Sequence, residues 1–569
     1  MNSAKRLPSL EKPHYKYYKS APTRDINTEQ TIYDLVFASN KDNMTEPALE
    51  YFGSVWSFEK LKEETDKAAS AFYKSGLRVG DVVLIGVSNS FDTVVTLLAL
   101  NKIGIVSKWF DIRASERDIK EYANESNCKY IIAFDMLIPK IADIIDETSV
   151  SKVLIVNPTN RLPFAIRFAY NLKNKNKIPN DKRFISFGDF VKEGDLLPVE
   201  CVAFDRNRPS IMIQSSGTTG KAKNIVHSDF SVTSCVKKIA FSDMPIERGK
   251  ALLVLLPPWI AYGLGNAIIL SLALGCKTVL SPKFNRESIL KYLGKFTICF
   301  TAPVCYRYLI DNYDNLTKKQ KVGIEKIECL CSGGDKITVE ENKKFEETLN
   351  TVVVNGYGNN EGWGALTVNP VQNNKYGTVG IPKYGDIIIS YNNDTNTELG
   401  YGETGELCVL TDTMFLHYEG KEEETKAVKK IHPDGKCWLH TGDLGFIDED
   451  GYITLNGRAR RVIIRAAFKI SAYTIEDKIC EHPAVKECVA VEVPDKRDEH
   501  VPMSFIVLKD GCDELTTKAE IQKKCADELK NYEIPKYFEI VKSLPYTPNG
   551  KYDFRELEKI GNQIVENMK

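Results

Sequence analysis

Hydroxyl side chains, glycines and lysines are concentrated in one short stretch of the chain, and together they suit a polyphosphate. The run at 210–213 predicts a buried strand, and Ser, Gly and Thr residues with two lysines follow it closely. Glycines let the backbone turn tightly and expose N–H groups, hydroxyl groups add donors, and the lysines add positive charge. The residues predicted to bind phosphate are Ser215, Ser216, Gly217, Thr218, Thr219, Gly220 and Lys223.

A flexible surface loop is the alternative for this stretch, because most segments rich in Ser and Gly are of that kind. The strand in front of the stretch and the lysines within it favour phosphate binding instead. The stretch is not a P-loop, since the glycine spacing and the Gly-Lys-Ser/Thr ending of that motif are absent. The sequence therefore predicts a different way of binding ATP.

Two further polar clusters follow predicted strands. The segment 331–336 has a pair of glycines that would let the backbone approach a flat base, although an ordinary turn explains it equally well. The segment 355–361 brings a tyrosine ring that can stack on adenine, two glycines and the carboxylate of Glu361 to the carboxyl end of a strand. A hard Mg²⁺ ion suits one carboxylate together with substrate phosphates.

Two turns nearer the C-terminus also carry charged groups. The segment 440–445 places Asp443 in a turn with glycines, where a carboxylate either accepts hydrogen bonds from a diol or caps its own backbone. The segment 545–553 contains two prolines and an Asn-Gly pair, which fix a turn that presents Lys551 outwards. A lysine there is either an ordinary exposed side chain or a mobile cation that stabilises charge in a transition state.

Five motifs between Ser215 and Lys551 resemble, in this order, those of the adenylate-forming enzymes, the superfamily of acyl-CoA synthetases, adenylation domains of peptide synthetases and luciferases. The resemblance implies that Thr219 and Glu361 hold Mg²⁺ and that both are catalytic together with Lys551. It also makes Arg460 the hinge between two domains and implies that Asp443 accepts hydrogen bonds from the ribose hydroxyls. It assigns ATP binding to Ser215, Ser216, Gly217, Thr218, Thr219, Gly220, Lys223, Gly334, Asp335, Lys336, Asn355, Gly356, Tyr357, Asn360, Asp443, Arg458 and Lys469.

The chain departs from the family pattern at several of these positions. Asn360 stands where the family usually has Thr, and its amide can still donate to a phosphate oxygen. Ala467 stands where acyl-CoA synthetases have the glycine that lines the pantetheine tunnel. Lys336 replaces a proline, and Arg460 and Arg461 replace residues that are typically acidic. An acyl carrier protein as acceptor, or a nucleotide-binding module without turnover, therefore remain as alternatives.

The activity implied by the resemblance is the ATP-dependent activation of a carboxylic acid to an acyl-adenylate, followed by transfer to the thiol of CoA. The products are acyl-CoA, AMP and pyrophosphate, with ATP, Mg²⁺ and CoA as cofactors or co-substrates. Amino acids are disfavoured because an apolar residue stands where amino-acid-activating relatives have Asp. A medium- or long-chain fatty acid is the first prediction, and an aryl acid is the second. The predicted pocket consists of Trp259, Ile260, Tyr262, Gly358 and Trp363.

Composition excludes several other classes of protein. The chain has 569 residues, a hydrophobic fraction of 43% and a net charge of -1, which is ordinary for a globular protein and gives no electrostatic footprint for nucleic acid. Its 14 cysteines lack paired metal-ligand spacing, so a reducing cytoplasm is the expected location. No apolar run reaches the roughly 18 residues of a membrane-spanning helix. We expect a monomer or homodimer with at most peripheral membrane contact.

Alternating strands and helices predict an α/β fold with parallel sheets that have helices on both faces. Predicted elements include a helix at 58–76, a helix at 91–102 and strands at 130–133 and 152–156. From about residue 380, short strands and glycine turns predict a small β-rich subdomain. The large N-terminal domain is placed at 1–457 with two parallel-type α/β subdomains, and a small mobile α+β lid domain carrying Lys551 is placed at 458–569.

The segment 161–183 is basic and also contains several aromatic and aliphatic residues. A basic amphipathic segment can lie on a membrane surface or guide an acyl chain. The segment is short and rich in asparagine, so the sequence favours a solvated insertion.

Overall fold

The computed structural model describes residues 6–174, 176–192, 198–215, 223–335, 337–458, 461–465, 468–496, 498–547 and 552–568. The chain divides into two compact units. The nucleotide unit, as we call it, comprises His14–Asp386 and Leu410–Lys430. The C-terminal unit comprises the described residues up to Pro13, then Ile387–Val409, then those from Ile431 onwards.

The strands are, in chain order, β1 (Pro47–Tyr51), β2 (Ser54–Ser57), β3 (Val82–Gly86), β4 (Val106–Trp109), β5 (Tyr130–Phe134), β6 (Lys152–Val156), β7 (Phe184–Ser186), β8 (Pro209–Gln214), β9 (Asn224–Ser228), β10 (Ala251–Val254), β11 (Lys277–Leu280), β12 (Ile298–Thr301), β13 (Cys329–Ser332), β14 (Val352–Asn359), β15 (Gly364–Val368), β16 (Ile381–Pro382), β17 (Ile387–Asn392), β18 (Thr397–Glu398), β19 (Gly405–Leu410), β20 (His417–Tyr418), β21 (Lys429–Ile431), β22 (Cys437–Ile447), β23 (Ile453–Arg458), β24 (Val462–Arg465), β25 (Phe468–Ser471), β26 (Val485–Asp495), β27 (Glu499–Leu508) and β28 (Tyr537–Ile540).

The α-helices are α1 (Pro8–Glu11), α2 (Ile32–Ala38), α3 (Phe58–Lys74), α4 (Phe91–Lys102), α5 (Glu116–Glu125), α6 (Ile138–Ile144), α7 (Phe164–Lys173), α8 (Phe187–Lys192), α9 (Asp229–Ile239), α10 (Leu270–Ala273), α11 (Ser288–Tyr292), α12 (Pro303–Asp311), α13 (Lys318–Ile324), α14 (Val339–Leu349), α15 (Glu422–Val428), α16 (Ala472–Cys480), α17 (Glu514–Glu528) and α18 (Phe554–Asn567). A π-helix, Tyr262–Ile269, leads directly into α10.

The nucleotide unit is built on two large sheets. In one, the strand order is β20-β9-β8-β4-β3-β5-β6-β7; in the other it is β16-β15-β14-β13-β12-β10-β11-β1-β2. The central strands of both sheets are parallel, and antiparallel pairs occur only towards the edges, as at β8 and β9. Because parallel strands must be covered on both faces, most of their side chains are apolar, and β5 is buried throughout, although β4 contains the buried Ser107 and Lys108.

Hydroxyl caps begin several of the helices that follow these strands. Ser57 accepts a hydrogen bond from the Lys60 amide at the start of α3, and Ser90 does the same for Thr93 at the start of α4. Such caps satisfy backbone N–H groups that a helix leaves without an internal partner. The predicted helices at 58–76 and 91–102 are present, and so are the predicted strands at 130–133 and 152–156.

The C-terminal unit is formed mainly by antiparallel strands with a few helices. β17, β18, β19, β22 and β23 form one sheet, in which β19 and β23 both pair with β22. β26, β27 and β28 form a second sheet, against which α16 and α18 pack. The predicted β-rich subdomain therefore belongs to the same unit as residues beyond 458, whereas the sequence-based boundary at 457/458 divides them. β23 itself runs across that boundary, which stays a prediction of where a hinge lies.

No helix in the described ranges is long and apolar enough to cross a membrane.

Candidate active site

The carboxyl end of β13 lies beside the middle of β14, where two buried polar atoms have no partner among the described residues. Ser332 and Asn355 are opposite each other in the parallel register. Within the described part of the chain, Ser332 Oγ and Asn355 Oδ1 have no hydrogen-bond partner. Buried polar atoms are nearly always paired, so an unpaired couple at a sheet edge indicates a place for a polar ligand. This edge carries the segments predicted to contact adenine.

The other predicted adenine-binding residues surround this edge. Gly334 has a φ of +88°, which favours glycine, and Asp335 follows it with Oδ2 3.5 Å from the Arg307 guanidinium. Gly356 and Tyr357 continue β14 and pair with Val368 and Thr367 of β15. Lys336 lies outside the described residues.

Glu361 is held by a tyrosine from a distant part of the chain. The Tyr418 hydroxyl on β20 donates to Glu361 Oε1 at 2.7 Å, and the Phe415 amide donates to the Glu361 backbone carbonyl at 2.8 Å. Lys223 Nζ lies 4.6 Å from the centre of the Tyr418 ring. The tyrosine therefore contacts both the carboxylate predicted to bind Mg²⁺ and the lysine predicted to bind phosphate.

The two ends of the predicted phosphate loop are closed by paired hydrogen bonds. The Ser215 amide donates to the Lys223 carbonyl and the Lys223 amide donates to Ser215 Oγ, both at 2.9 Å. Gln214 and Asn224 are partners in the antiparallel pair of β8 and β9 that leads into this closure. The part of the loop that carries Ser216, Gly217, Thr218, Thr219 and Gly220 lies outside the described residues.

Asn360 connects the phosphate loop to the predicted acid-binding segment. Its Nδ2 donates to the Gln214 carbonyl at 3.0 Å, and its Oδ1 accepts from the Ala261 amide at 3.2 Å. Both ends of the amide are thus bonded to backbone groups. One N–H of Nδ2 remains for a phosphate oxygen, the contact that the sequence predicted for this residue.

His227 forms a hydrogen bond to the backbone of Asn360, and no motif in the sequence marks this histidine. The side chain is fully buried on β9, with Nε2 2.8 Å from the Asn360 carbonyl and its ring centre 4.7 Å from that of Trp363. Burial lowers the pKa of His227 to about 3, against the opposing effect of the hydrogen bond to Asn360. The ring is therefore neutral at pH 7, and its Nε2 carries the proton because a carbonyl only accepts.

The predicted acid pocket is organised around the π-helix. Trp363, which has a φ of +59°, lies against this helix at Gly265, where an added Cβ would come within 2.5 Å of the indole nitrogen. The Tyr262 hydroxyl donates to the Cys331 carbonyl at 3.2 Å. The segment 259–269 contains no charged residue. Short π-helical turns are frequent at functional sites.

Two features of the pocket residues bear on which ligand can enter. Trp259 is 8% exposed, and its indole Nε1 has no hydrogen-bond partner among the described residues. Ile260 is partly exposed beside it. A Cβ added to Gly358 would overlap the Gly364 carbonyl oxygen, so the close approach of β15 requires glycine there. The apolar surface and the free indole donor suit a molecule with an apolar body and a polar end.

In the C-terminal unit, the predicted ribose ligand Asp443 follows a turn held by Glu406. Glu406 Oε1 accepts from the Gly442 amide at 2.9 Å, and Oε2 accepts from His440 Nδ1 at 2.8 Å. Although burial opposes ionisation, hydrogen bonds from His440 and Asn393 lower the pKa of Glu406 to about 2. Arg458, another predicted ATP ligand, has its backbone opposite Asp443 in the pairing of β22 with β23.

Cys408, His432 and His440 form a buried cluster with ligand atoms within 4.8 Å of one another. His432 Nε2 lies 2.8 Å from His440 Nε2, whereas the Cys408 sulfur lies 3.5 Å from His440 Nδ1. The two approaches are to different nitrogens of the same ring, and Nδ1 is already engaged by Glu406. The cluster is therefore explained by a hydrogen-bonded chain from Glu406 through His440 to His432.

The remaining predicted residues lie in the C-terminal part. Lys469 is on β25 opposite Ile464, while Arg460 and Lys551 lie outside the described residues. Arg461, which replaces a typically acidic residue, forms a buried ion pair of 2.6 Å with Glu476 in the middle of α16. The described residues next to Lys551 are joined by a bridge between Tyr546 and Tyr552.

The amino-acid sequence matches two models of known protein families. The model of the AMP-binding enzymes matches residues 36–419, and that of the AMP-binding enzyme C-terminal domain matches residues 474–551. The chain belongs to the AMP-binding enzyme family. A curated relative of this AMP-binding enzyme, the long-chain-fatty-acid–CoA ligase of Bacillus subtilis (strain 168), is 27% identical over 519 residues, 90% of this chain and 91% of that protein. The long-chain-fatty-acid–CoA ligase of Escherichia coli O157:H7 is 25% identical over 577 residues, 97% of this chain and 98% of that protein.

Solved structures of similar proteins have the same fold. ATP-bound MatB from Rhodopseudomonas palustris matches with a TM-score of 0.82 at 21% identity, covering 94% of this chain and 100% of that one. The anthranilate CoA ligase AuaEII in complex with anthranoyl-AMP matches with a TM-score of 0.81 at 19% identity, covering 96% and 100%. The predicted membership of the adenylate-forming enzymes and the predicted α/β architecture are confirmed, and the chain is an AMP-binding enzyme.

Proposed function

We propose that this AMP-binding enzyme is an AMP-forming acid–CoA ligase that activates a medium- or long-chain fatty acid. The observation that carries the proposal is that, in the nucleotide unit, a polar strand edge lies next to an apolar π-helix. Ser332 and its strand partner Asn355 carry the unpaired polar atoms. The preceding Cys331 accepts a hydrogen bond from Tyr262 of the apolar π-helix, which has no charged side chain. The names of the Bacillus and Escherichia relatives support a long-chain substrate.

ATP is expected to bind along the edge formed by Ser332 and Asn355, with its phosphates towards the loop after β8. Lys223 and the backbone amides of that loop would neutralise the triphosphate, and Glu361 would face the same charges. The chemistry requires little beyond positioning and charge neutralisation, because the acid itself attacks the α-phosphorus. Lys551, brought by the C-terminal unit, would stabilise the charge that develops there.

The residues present fit a Mg²⁺ ion. Glu361 Oε1 is occupied by Tyr418, and Oε2 accepts no hydrogen bond from any described residue. One free carboxylate oxygen together with phosphate oxygens is the coordination that Mg²⁺ prefers in nucleotide sites. A bound Mg²⁺ would supply charge neutralisation at the phosphates. Tyr418 would keep Glu361 oriented towards it, and Thr219 is proposed as the second protein ligand.

The acid is proposed to lie with its chain against Trp259, Ile260 and Trp363 and with its carboxylate towards the nucleotide. An ammonium group would find no counter-charge in the segment 259–269, which disfavours amino acids. An aryl acid remains the second candidate, since flat rings also suit an indole-lined pocket.

Transfer to a thiol completes the proposed reaction, with CoA as the first acceptor and a carrier-protein phosphopantetheine as the alternative. The C-terminal unit is proposed to turn about Arg460, which would withdraw Lys551 and admit the thiol.

All 14 cysteines are free, which supports a reducing cytoplasm as the location. A monomer or homodimer is proposed, and light scattering of the purified chain distinguishes them.

The test is pyrophosphate release with ATP, Mg²⁺ and acids from acetate to palmitate, with benzoate and an amino acid as comparisons. Continuous release that requires CoA and is fastest for one chain length above acetate is expected. A single burst that CoA does not prolong, but a phosphopantetheine carrier protein does, would identify the alternative acceptor. Fastest release with benzoate would replace the fatty acid by an aryl acid, and no release with any acid would contradict the proposal.

A variant separates catalysis from nucleotide binding. Lys551→Ala is expected to retain ATP binding and to lose at least a hundredfold in adenylate formation, because the mobile cation acts only in the transition state. Lys559→Ala is the matched control, since Lys559 lies on the nearby helix α18 and is 65% exposed. Equal rates for both variants would exclude the role proposed for Lys551.

A further inference from the structure

Helix α7 presents three large apolar side chains to solvent, whereas Tyr170 and the following Asn174 point to the protein. Phe164, Phe168 and Leu172 are 69%, 52% and 70% exposed. They are spaced by four residues, so they lie on one face of the helix. A helix at the surface of a globular protein normally has the opposite arrangement, with its apolar stripe facing the core.

The inner face of α7 is attached by hydrogen bonds. The Tyr170 hydroxyl donates to Asp135 Oδ1 at 2.8 Å, and Asn174 Nδ2 donates to Asp135 Oδ2 at 2.6 Å. Asn157 Nδ2 donates to Asn171 Oδ1 at 3.0 Å. Asp135 is itself buried, so these bonds fix which face of the helix points outwards.

A polar cavity lies beneath the hydrogen-bonded inner face of α7. Its volume is about 320 Å³, and its lining includes Asp135, Asn157, Asn171 and Asn174. Asparagine side chains and a carboxylate make this space suitable for water rather than for apolar packing. The orientation of α7 is thus set by polar groups, and Phe164, Phe168 and Leu172 are not buried in the core of the protein.

The exposed stripe forms a small continuous surface. The rings of Phe164 and Phe168 stack with their centres 5.7 Å apart, and the Arg167 guanidinium lies 5.9 Å from the Phe164 ring. Other large apolar side chains are exposed in the described chain, but Phe164, Phe168 and Leu172 lie on successive turns of one helix.

The sequence around this stripe is basic. Arg167, Lys173, Lys175, Lys177 and Lys182 accompany a single acidic residue, Asp181, in the segment 164–182, although the whole chain has a net charge of -1. Asp181 is paired with Arg183. In the described part of the chain, Arg167, Lys177 and Lys182 form no ion pair, so their charge is available to an external anion.

We propose that α7, with the described residues 174 and 176–182, forms a docking surface for membranes that contain anionic phospholipids. Phe164, Phe168 and Leu172 would enter the boundary between headgroups and acyl chains, and the basic residues would contact the phosphates. An exposed apolar stripe with flanking lysines and arginines is the combination by which peripheral helices bind such membranes. The proposal extends the proposed function, because it brings the enzyme to where long-chain acids dissolve, but its test needs no turnover.

The experiment is co-sedimentation of the full chain with sucrose-loaded vesicles, either phosphatidylcholine alone or with 30 mol% phosphatidylglycerol. We expect at least about fivefold stronger binding to the anionic vesicles at 0.1 M salt and loss of most of that difference at 0.5 M. Equal binding to both kinds of vesicle, or no binding, would overturn the proposal.

Two sets of variants test the two components of the surface. Replacing Phe164, Phe168 and Leu172 together by Ser is expected to lower binding to anionic vesicles about tenfold or more. Replacing Arg167, Lys177 and Lys182 together by Glu is expected to remove the preference for anionic lipid. Vesicle binding that survives either set contradicts the proposal.

A control variant removes three exposed apolar side chains elsewhere in the nucleotide unit. Val55, Val79 and Val322 are 50%, 58% and 52% exposed, and their joint replacement by Ser should leave vesicle binding unchanged. All variants should retain the parent's thermal unfolding and its pyrophosphate release with a short, water-soluble acid. If the chain instead forms dimers that the Phe164, Phe168 and Leu172 variant dissociates, with no binding to vesicles, the stripe is a contact between copies and the membrane proposal fails.

Discussion

The Tyr418 hydroxyl donates a 2.7 Å hydrogen bond to Glu361, and the two residues are 57 positions apart in the chain. β20 brings Tyr418 alongside β9, directly after the phosphate loop, while Glu361 lies in the turn between β14 and β15. The bond thus joins the two large sheets of the nucleotide unit at the place where the triphosphate is proposed to bind.

Replacing Tyr418 by Phe removes this donor but keeps the ring beside Lys223. We expect kcat/KM for ATP to fall about tenfold and the Mg²⁺ concentration for half-maximal activity to rise, since a hydrogen bond to a charged group contributes roughly 1.5–3 kcal/mol. Pyrophosphate release across a Mg²⁺ titration measures both. Tyr376→Phe is the matched control, because Tyr376 is hydrogen-bonded to Glu346 in the same unit. Identical Mg²⁺ curves for both variants would count against a role for Tyr418.

Asn360 provides a second prediction, on stability. In Asn360→Asp, an oxygen replaces the Nδ2 donor and faces the Gln214 carbonyl, so the free energy of unfolding should fall by about 1–3 kcal/mol. Chemical denaturation without nucleotide is the measurement. Asn359→Asp is the control, because Asn359 Oδ1 only accepts from the Gly362 amide and a carboxylate can do the same. Equal stability of the two variants would show that the bridge from Asn360 is unimportant.

His227 predicts a pH dependence. Its pKa of about 3 in the folded chain lies below the ordinary value of 6.5, so the unfolded chain binds the proton first as the pH falls. The contribution to stability is complete above about pH 6.5 and is lost towards pH 3, with a slope of up to about 1.4 kcal/mol per pH unit.

Unfolding of the parent and of His227→Gln between pH 7.5 and 4 measures this slope. The variant should lose stability less steeply with acid, because glutamine can donate to the Asn360 carbonyl and does not titrate. His500→Gln is the control for replacing a histidine at the surface, since that side chain is 43% exposed. A slope that is the same in His227→Gln and the parent would contradict the prediction.

Glu406 predicts an effect on ribose recognition. Glu406→Gln weakens the hydrogen bonds that the carboxylate accepts from the Gly442 amide and from His440. The turn before Asp443 should then lose its orientation. The expected result is a severalfold smaller preference for ATP over 2′,3′-dideoxy-ATP, which a general loss of stability would not produce. Glu398→Gln, in the same sheet and bonded to Ser9, should keep the preference. Full discrimination by Glu406→Gln would remove Glu406 as a positioning residue.

The sequence by itself determined the family, the α/β class and the order of the motifs. These features are local: a glycine-rich loop after a strand, a carboxylate in a turn or a Pro-Asn-Gly turn is visible within about ten residues. The strands and helices of the nucleotide unit could be predicted for the same reason, since buried parallel strands such as β5 and β6 are continuous apolar runs. The boundary at 457/458 was also drawn from local texture, although β23 crosses it.

The tertiary structure alone decided which residues support the site. Tyr418 reaches Glu361, and His227 reaches Asn360, only because particular strands are neighbours in the two sheets, and no spacing in the sequence encodes those pairings. Asn360 could be read as a phosphate contact from its position, but not as a bridge between Gln214 and Ala261. The sequence of segment 161–183 shows that it is amphipathic but does not decide which face of α7 points to solvent. Its hydrogen bonds to the buried Asp135 turn the apolar face outwards, because a buried carboxylate must be satisfied by whichever polar side chains the fold brings to it.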